Sequence, residues 1–542
     1  MLGEESMKII LVVLVGFMVA CSEQGAELTD PVPLSAEIQT TKGKVVGNVR
    51  ESDLLEFLGI PYAAPPVGDL RWQPPQPPGD WDGELDATNP GLPCVQPATL
   101  SEFYARAYSE MSEDCLTLNV WSRANTSADK LPVMVWIHGG ALVMGSGRDY
   151  DGASLTSKGV VVVTINYRLG PFGFFAHPEL SSESANGVSG NQGFRDQIAA
   201  LEWVRDNIEN FGGDPDNVTI FGESAGSWSV SVMQASPLAR GLFHKVIGQS
   251  GARFIPTPDL TEDRWGIPSA ESWGEKLGSK FTNNDGASLE TLRSLPAQEI
   301  MDVYAKDPEV LMNFDYLTIV DGAVLPEEVD NIFKSGAQAD VPALIGSNED
   351  EATTFDPALL NPQAADLDYA EALRAQVAMM LPAGDETIFD HYSTEPEVAQ
   401  NSWVEFSTDA MFTQPMRLWA DYMQNVSSPA FLYWWTWAPI VDGSDKYGAF
   451  HAAEVPFVFG DLSTFNMTTR PEDKEFSDLM MTIWTNFAKT GDPSVDGVLD
   501  WPAYDSERAT TAVLGRDITL EPGIRSERVE KITAAYAAQR NE

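Results

Sequence analysis

The apolar positions of this chain gather into short unbroken runs. Leu131-Pro-Val-Met-Val-Trp-Ile137 is one and Val160 to Ile165 another, ending at His138-Gly139-Gly140 and at Asn166-Tyr167-Arg168. A strand buried on both faces has no polar side to show, so such runs predict strands inside a parallel sheet covered by helices. Val218 to Phe221, Lys245 to Ser250, Val341 to Ile345 and Phe431 to Trp437 read the same way, and Glu113 to Val120 opens a further strand. Between Gly193 and Gly213, Phe194, Ile198, Leu201 and Ile208 fall near one face of a helix. Alternating strands and helices predict an α/β fold: a mostly parallel central sheet with right-handed crossovers and helices on both faces. Polar and β-branched residues alternate from Glu37, predicting a hairpin. The turn formers of Phe57 to Trp72 predict irregular chain. Residues 257–326 are mixed and acidic, the stretch from Glu351 to about Gln424 reads as helical, and the last hundred residues read as mainly helical. The fold therefore carries large helical insertions.

One apolar run stands apart. Ile9 to Ala20 spans 12 residues, too few to cross a bilayer comfortably, with Lys8 before it and small residues after it. It reads as a signal peptide over residues 1–20. Met1 to Ser6 is acidic, so Met7 makes the better start. Met18-Val-Ala-Cys21 resembles a bacterial lipoprotein box, which makes Cys21 a candidate for lipidation and membrane anchoring; simple cleavage is the alternative. Residues 21–36 read as a flexible tether and residues 37–540 as the folded domain. The expected location is outside the cytoplasm: periplasmic, anchored at the outer membrane, or secreted.

Charge and cysteines narrow the partners. The chain of 542 residues carries 34 Lys+Arg against 80 Asp+Glu, a formal net charge of -46. Phosphate backbones would be repelled, so a nucleic-acid partner is excluded. The three cysteines are Cys21, Cys94 and Cys115. If Cys94 pairs with Cys115, Cys21 is left over. No Cys/His cluster offers the usual zinc spacing.

The candidate chemistry centres on Val218-Thr-Ile-Phe-Gly222-Glu223-Ser224-Ala225-Gly226. A strand running into G-x-S-x-G and then a helix is the setting of a nucleophile elbow. The tight turn lifts the serine hydroxyl clear of the sheet, and the glycines remove Cβ atoms that would clash. In this architecture an acid and then a histidine follow the serine. Of five histidines, His138 and His177 precede Ser224, and His244 follows it too closely. His391 lies in a predicted helix; His451 follows a strand and a glycine-bearing loop, which suits a base. Glu349, Asp350 and Glu351 all follow a strand and all qualify as the acid, two of them being left to solvent. His138-Gly-Gly-Ala141 follows a strand as an oxyanion loop should.

The chain resembles the type-B carboxylesterases. The resemblance rests on FLGIPYA, EDCLTLNV, VWIHGGA, NYRLGPFGF, VTIFGESAG, GSNEDEATTF, FHAAEVPFVFG and WTNFAKTGDP, which occur in the family's order from about Phe57 to Pro493. It implies an α/β-hydrolase fold and a Ser224–Glu351–His451 triad. It places oxyanion donors at the N–H groups of Gly140, Ala141 and Ala225, with Ala141 and Ala452 standing where the family usually has glycine. It further implies a Cys94–Cys115 disulfide, ion pairs Arg71–Glu113 and Arg168–Asp196, and Glu223 and Ser250 as polar residues close to the triad. The expected activity is hydrolysis of small to medium, largely uncharged carboxylic esters through an acyl-enzyme, with no metal or organic cofactor. A non-catalytic surface or adhesion protein on the same fold, or an amidase, lactonase or carbamate hydrolase with the same triad, is the alternative.

Overall fold

The apolar runs become continuously buried strands. The structure, a computed structural model, describes residues 33–540 apart from 98–103, 105–107, 312, 361–365 and 382–385. The signal peptide, Cys21 and most of the tether lie outside the described residues. In chain order the strands are β1 (Glu37–Gln39), β2 (Lys44–Val46), β3 (Asn48–Arg50), β4 (Leu54–Pro61), β5 (Glu84–Asp86), β6 (Thr117–Ser122), β7 (Leu131–Ile137), β8 (Val161–Ile165), β9 (Gly213–Glu223), β10 (Lys245–Gln249), β11 (Ala343–Asn348), β12 (Ala430–Trp435), β13 (Thr510–Leu514) and β14 (Thr519–Pro522).

Eleven of them form one sheet in the order β14-β13-β12-β11-β10-β9-β7-β8-β6-β4-β3. From β8 to β13 every neighbouring pair is parallel, and the antiparallel pairs lie at the two edges. Side chains alternate between two cores, as the pleat requires. Val133, Val135, Ile137, Val161 and Val163 enter one; Met134, Trp136, Val162, Phe221 and Tyr433 enter the other. This two-sided burial is why these strands read as unbroken apolar runs. With helices on both faces, this is the mostly parallel, doubly covered α/β sheet that the apolar runs predict.

Three readings of the sequence are corrected. Phe57 to Pro61 is not irregular: it belongs to β4, whose pairing with β6 slips between Phe57 and Ile60. Gly59 in that slip has φ +73, where glycine alone is at ease, so a real strand carries a turn signal. The helix expected to reach Gly213 is α-helical only over Gln192–Asn207; Gly213 begins β9. The last hundred residues contain β13 and β14 as well as helices.

The insertions after β10 and β11 are largely helical. The second, with the terminal helix Ser526–Arg540, makes a satellite core from Leu373, Val377, Trp403, Phe406, Ile532 and Tyr536. Cys94 and Cys115 form a disulfide. Arg168 meets Asp196 in a buried two-pronged pair at 2.6 and 2.7 Å, and Arg71 meets Glu113 in the same way. Among the described residues, no helix is long and apolar enough to cross a membrane.

Candidate active site

β9 ends at Glu223, and the helix Ala225–Ala235 begins one residue later. Ser224 makes the turn alone, at φ 56° and ψ -124°. That backbone conformation is costly for a residue with a Cβ, so the surroundings must hold it. Its N–H donates to the Gln249 carbonyl at 2.8 Å. Glycine is required next to it: a Cβ on Gly226 would lie 2.0 Å from the Ile137 carbonyl oxygen, and one on Gly251 would lie 2.4 Å from the Ser224 carbonyl oxygen. The helix points its N-terminal N–H groups and positive dipole end at the space beside the serine.

The loop after β7 reaches the same place. A Cβ on Gly139 would stand 3.1 Å from Ser224 Cβ and 2.8 Å from Glu223 Oε2. Gly140, Ala141 and Leu142 follow at φ +100°, +55° and +59°, a left-handed run that reverses the chain directly after the strand β7. His138 does not join in: its Nδ1 contacts the Gly139 carbonyl at 2.8 Å and its ring stacks on Tyr167, while burial holds it down at about 4, neutral.

Two strands along the sheet from β9, Glu351 follows β11, and His451 lies in a turn of the chain beyond β12. His451 Nδ1 is 2.6 Å from Glu351 Oε2, and both side chains are buried. Glu351 Oε1 accepts the Asn348 N–H at 2.8 Å, which fixes the carboxylate plane. His451 Nε2 lies 3.0 Å from Glu223 Oε1, beside the serine's chain neighbour. Burial pushes the Glu223 carboxyl up to about 8, although a charged His451 pulls it down. Burial also pulls down on His451, but the carboxylates of Glu223 and Glu351 outweigh it and hold the ring up at about 9.

The structure adds residues that sequence reasoning gave no role. Glu454, fully buried, accepts from Gln249 at 3.0 Å and from Asn348 at 2.6 Å; burial first and Glu351 next raise its carboxyl. Tyr104 donates to the His451 carbonyl at 2.8 Å. Phe412 and Phe355 pack on the imidazole at 4.5 and 5.2 Å between ring centroids. Glu454 had a visible signal, standing three residues after His451; the aromatic contacts span distances in sequence that no motif records. Ser250 sits at φ +57° with its hydroxyl buried and without a hydrogen-bond partner among the described residues.

The other candidates fall elsewhere. His391 lies in a turn after the short helix Glu386–Asp390, not within a helix. His244 Nδ1 accepts from the Val218 N–H at 3.1 Å, a structural contact in the middle of β9 and away from Ser224. His177 caps the helix Pro178–Glu183. Glu349 is exposed, as expected of a solvated acid. Asp350 is not left to solvent: it is half-buried, and its Oδ2 accepts the Ala449 N–H at 2.8 Å, pinning the loop that carries His451.

The Carboxylesterase family model matches residues 34–532. The para-nitrobenzyl esterase of Bacillus subtilis is 38% identical over 513 residues, covering 92% of this chain and 99% of its own. The fumonisin B1 esterase of Sphingopyxis macrogoltabida is 34% identical over 88% of this chain and 87% of its own. Among solved structures, a para-nitrobenzyl esterase superposes with a TM-score of 0.78 at 35% identity, covering 92% of this chain and 99% of its own. A carboxylesterase of Geobacillus stearothermophilus gives 0.80 at 34%, covering 93% and 100%.

Proposed function

The chain belongs to the carboxylesterase family of ester-hydrolysing enzymes, and from that premise we propose how its own residues do the chemistry. Ser224 attacks the ester carbonyl, and His451 takes the hydroxyl proton on Nε2. Glu351 holds the proton on Nδ1, which fixes the tautomer and stabilises the imidazolium. The N–H groups of Gly140, Ala141 and Ala225 receive the oxyanion. His451 then gives its proton to the departing alkoxide, and a water repeats the sequence on the acyl-enzyme. The observation that carries this reading is the 2.6 Å contact between His451 Nδ1 and the buried Glu351, two strands along the sheet from a strained Ser224.

The substrate class we propose is small to medium, uncharged esters. Phe355 and Phe412 give the base an apolar surround, and a protein of net charge -46 repels anionic substrates. An organophosphonate should label Ser224, and a panel of neutral esters and matching amides should show turnover of the esters. Labelling elsewhere would overturn the nucleophile; preferred cleavage of the amides would overturn the substrate class. We also propose export with lipid on Cys21. Cys21→Ser should move the protein from the membrane fraction to the soluble fraction, and wild-type protein already soluble would refute the anchor.

A further inference from the structure

Behind Glu351 the chain departs from regular helix. Ala399–Thr408 and Gln414–Tyr422 are α-helical, but Asp409–Thr413 between them is a π-turn. Such widened turns recur where function needs a side chain re-aimed. This one touches the candidate site twice. Phe412 packs on the His451 ring at 4.5 Å. At the entrance to the turn, Thr408 Oγ1 accepts the N–H of Ala352, the residue after Glu351, at 3.1 Å.

The turn is held by charge. Asp409 is fully buried and accepts from Arg525 Nη1 at 2.7 Å and from the Tyr392 hydroxyl at 2.8 Å; Arg528 stands 3.7 Å away. Arg525 has further contacts. Its Nη2 donates to the carbonyl of Glu349, two residues before Glu351, at 3.3 Å. Its guanidinium lies 4.7 Å over the ring of Trp434 in β12. Its backbone sits at φ +53°, uncommon for a residue with a Cβ. An ion pair with Asp409 alone would need neither the carbonyl contact nor the left-handed backbone. Together they place one planar fork between the π-turn and the acid loop, a task for arginine rather than lysine.

We propose that Arg525 is a positioning residue for ester hydrolysis: it clamps Asp409 of the π-turn to the Glu349 carbonyl and so holds the Glu351 carboxylate and the Phe412 ring against His451. This rests on the roles proposed for Glu351 and His451. Its effect belongs to kcat, because the orientation of the imidazole matters as the proton moves, while the guanidinium itself is occupied by Asp409, the Glu349 carbonyl and Trp434.

The test uses the full-length enzyme, a neutral p-nitrophenyl ester and an organophosphonate. Arg525→Lys keeps a cation for Asp409 but lacks the fork. Arg525→Met with Asp409→Leu removes both charges, so no lone buried carboxylate unfolds the protein. In both, kcat and the rate of Ser224 labelling should fall about 10- to 100-fold, with KM within about twofold and circular dichroism unchanged. Arg470→Gln, which breaks an ion pair with the buried Asp473 remote from the triad, should lower Tm and leave kcat alone. Wild-type kcat in both Arg525 variants would reduce Arg525 to a structural ion pair and overturn the proposal while leaving the triad intact. A wild-type enzyme that hydrolyses esters without labelling at Ser224 would overturn the triad and this proposal together.

Discussion

The two halves of the site are built on opposite principles. The nucleophile's half is local and made of backbone: β9, one strained residue, a helix N-terminus, and a glycine loop from the neighbouring strand β7. The acid–base half is long-range and made of side chains: Glu351 meets His451 across 100 residues, Asn348 meets Glu454 across 106, and Asp409 meets Arg525 across 116. Backbone geometry is set once the strands pair. Side-chain geometry needs every partner in place, and it can be tuned residue by residue. In the proposed mechanism the first half therefore supplies reactivity that is present or absent, and the second supplies graded control.

That contrast can be broken in order of effect. Ser224→Ala should cost about 10^6-fold in kcat, the size expected for removing a nucleophile, measured against a neutral ester; turnover near wild type would place the chemistry elsewhere. Glu351→Gln should cost about 10^4-fold by favouring the wrong imidazole tautomer. Asp350→Asn, which only weakens the pin on Ala449, should cost far less, and a larger loss there would move the acid to Asp350.

The pH profile tests the tuning. The proposed mechanism needs a neutral His451, and Glu223 and Glu351 raise its pKa from 6.5 to about 9. The kcat/KM should therefore be high in alkaline solution and fall as pH drops through a midpoint above 6.5. Glu223→Gln removes the first of the two raising carboxylates, so the midpoint should move down by about one unit. An unmoved midpoint would mean that Glu223 does not face the base in solution.

The smallest effect compares the halves directly. Ala141 and Ala452 sit at φ +55° and +67°, one in each half, where glycine is at ease. Glycine at either position should stabilise by about 1 kcal/mol, read as a rise in Tm. Only Ala141→Gly should also narrow the gap between tert-butyl and n-butyl acetate, because only that methyl lies in the oxyanion loop. A narrowed gap in Ala452→Gly would show that the two loops are not separable.

The same contrast governs what could be read from the chain. β7 to β12 were legible because burial on both faces leaves unbroken apolar runs. β4 was misread because Gly59 and Pro61 carry turn signals inside a slipped strand, and β14, exposed along its length, offers no apolar run at all. The elbow and the glycine loop are contiguous motifs, so Ser224 and the loop His138 to Ala141 could be picked out, and the resemblance named Gly140 and Ala141 within it. Among Glu349, Asp350 and Glu351, spacing could not choose; the resemblance singled out Glu351. Phe412 and Arg525 left no trace, because their contacts depend on how an insertion and the terminal helix fold back.

The placement of Arg525 sets an order of events during synthesis. β9 and the elbow emerge with less than half of the chain made, yet β13, β14, Arg525 and the helix Ser526–Arg540, which contributes Ile532 and Tyr536 to the satellite core, emerge last. A nascent chain can pair its central strands while it is still growing, but the Asp409–Arg525 pair and the contact with the Glu349 carbonyl must wait until Arg525 has been made. The chain thus carries Ser224 and its strand long before Arg525 can close on Asp409.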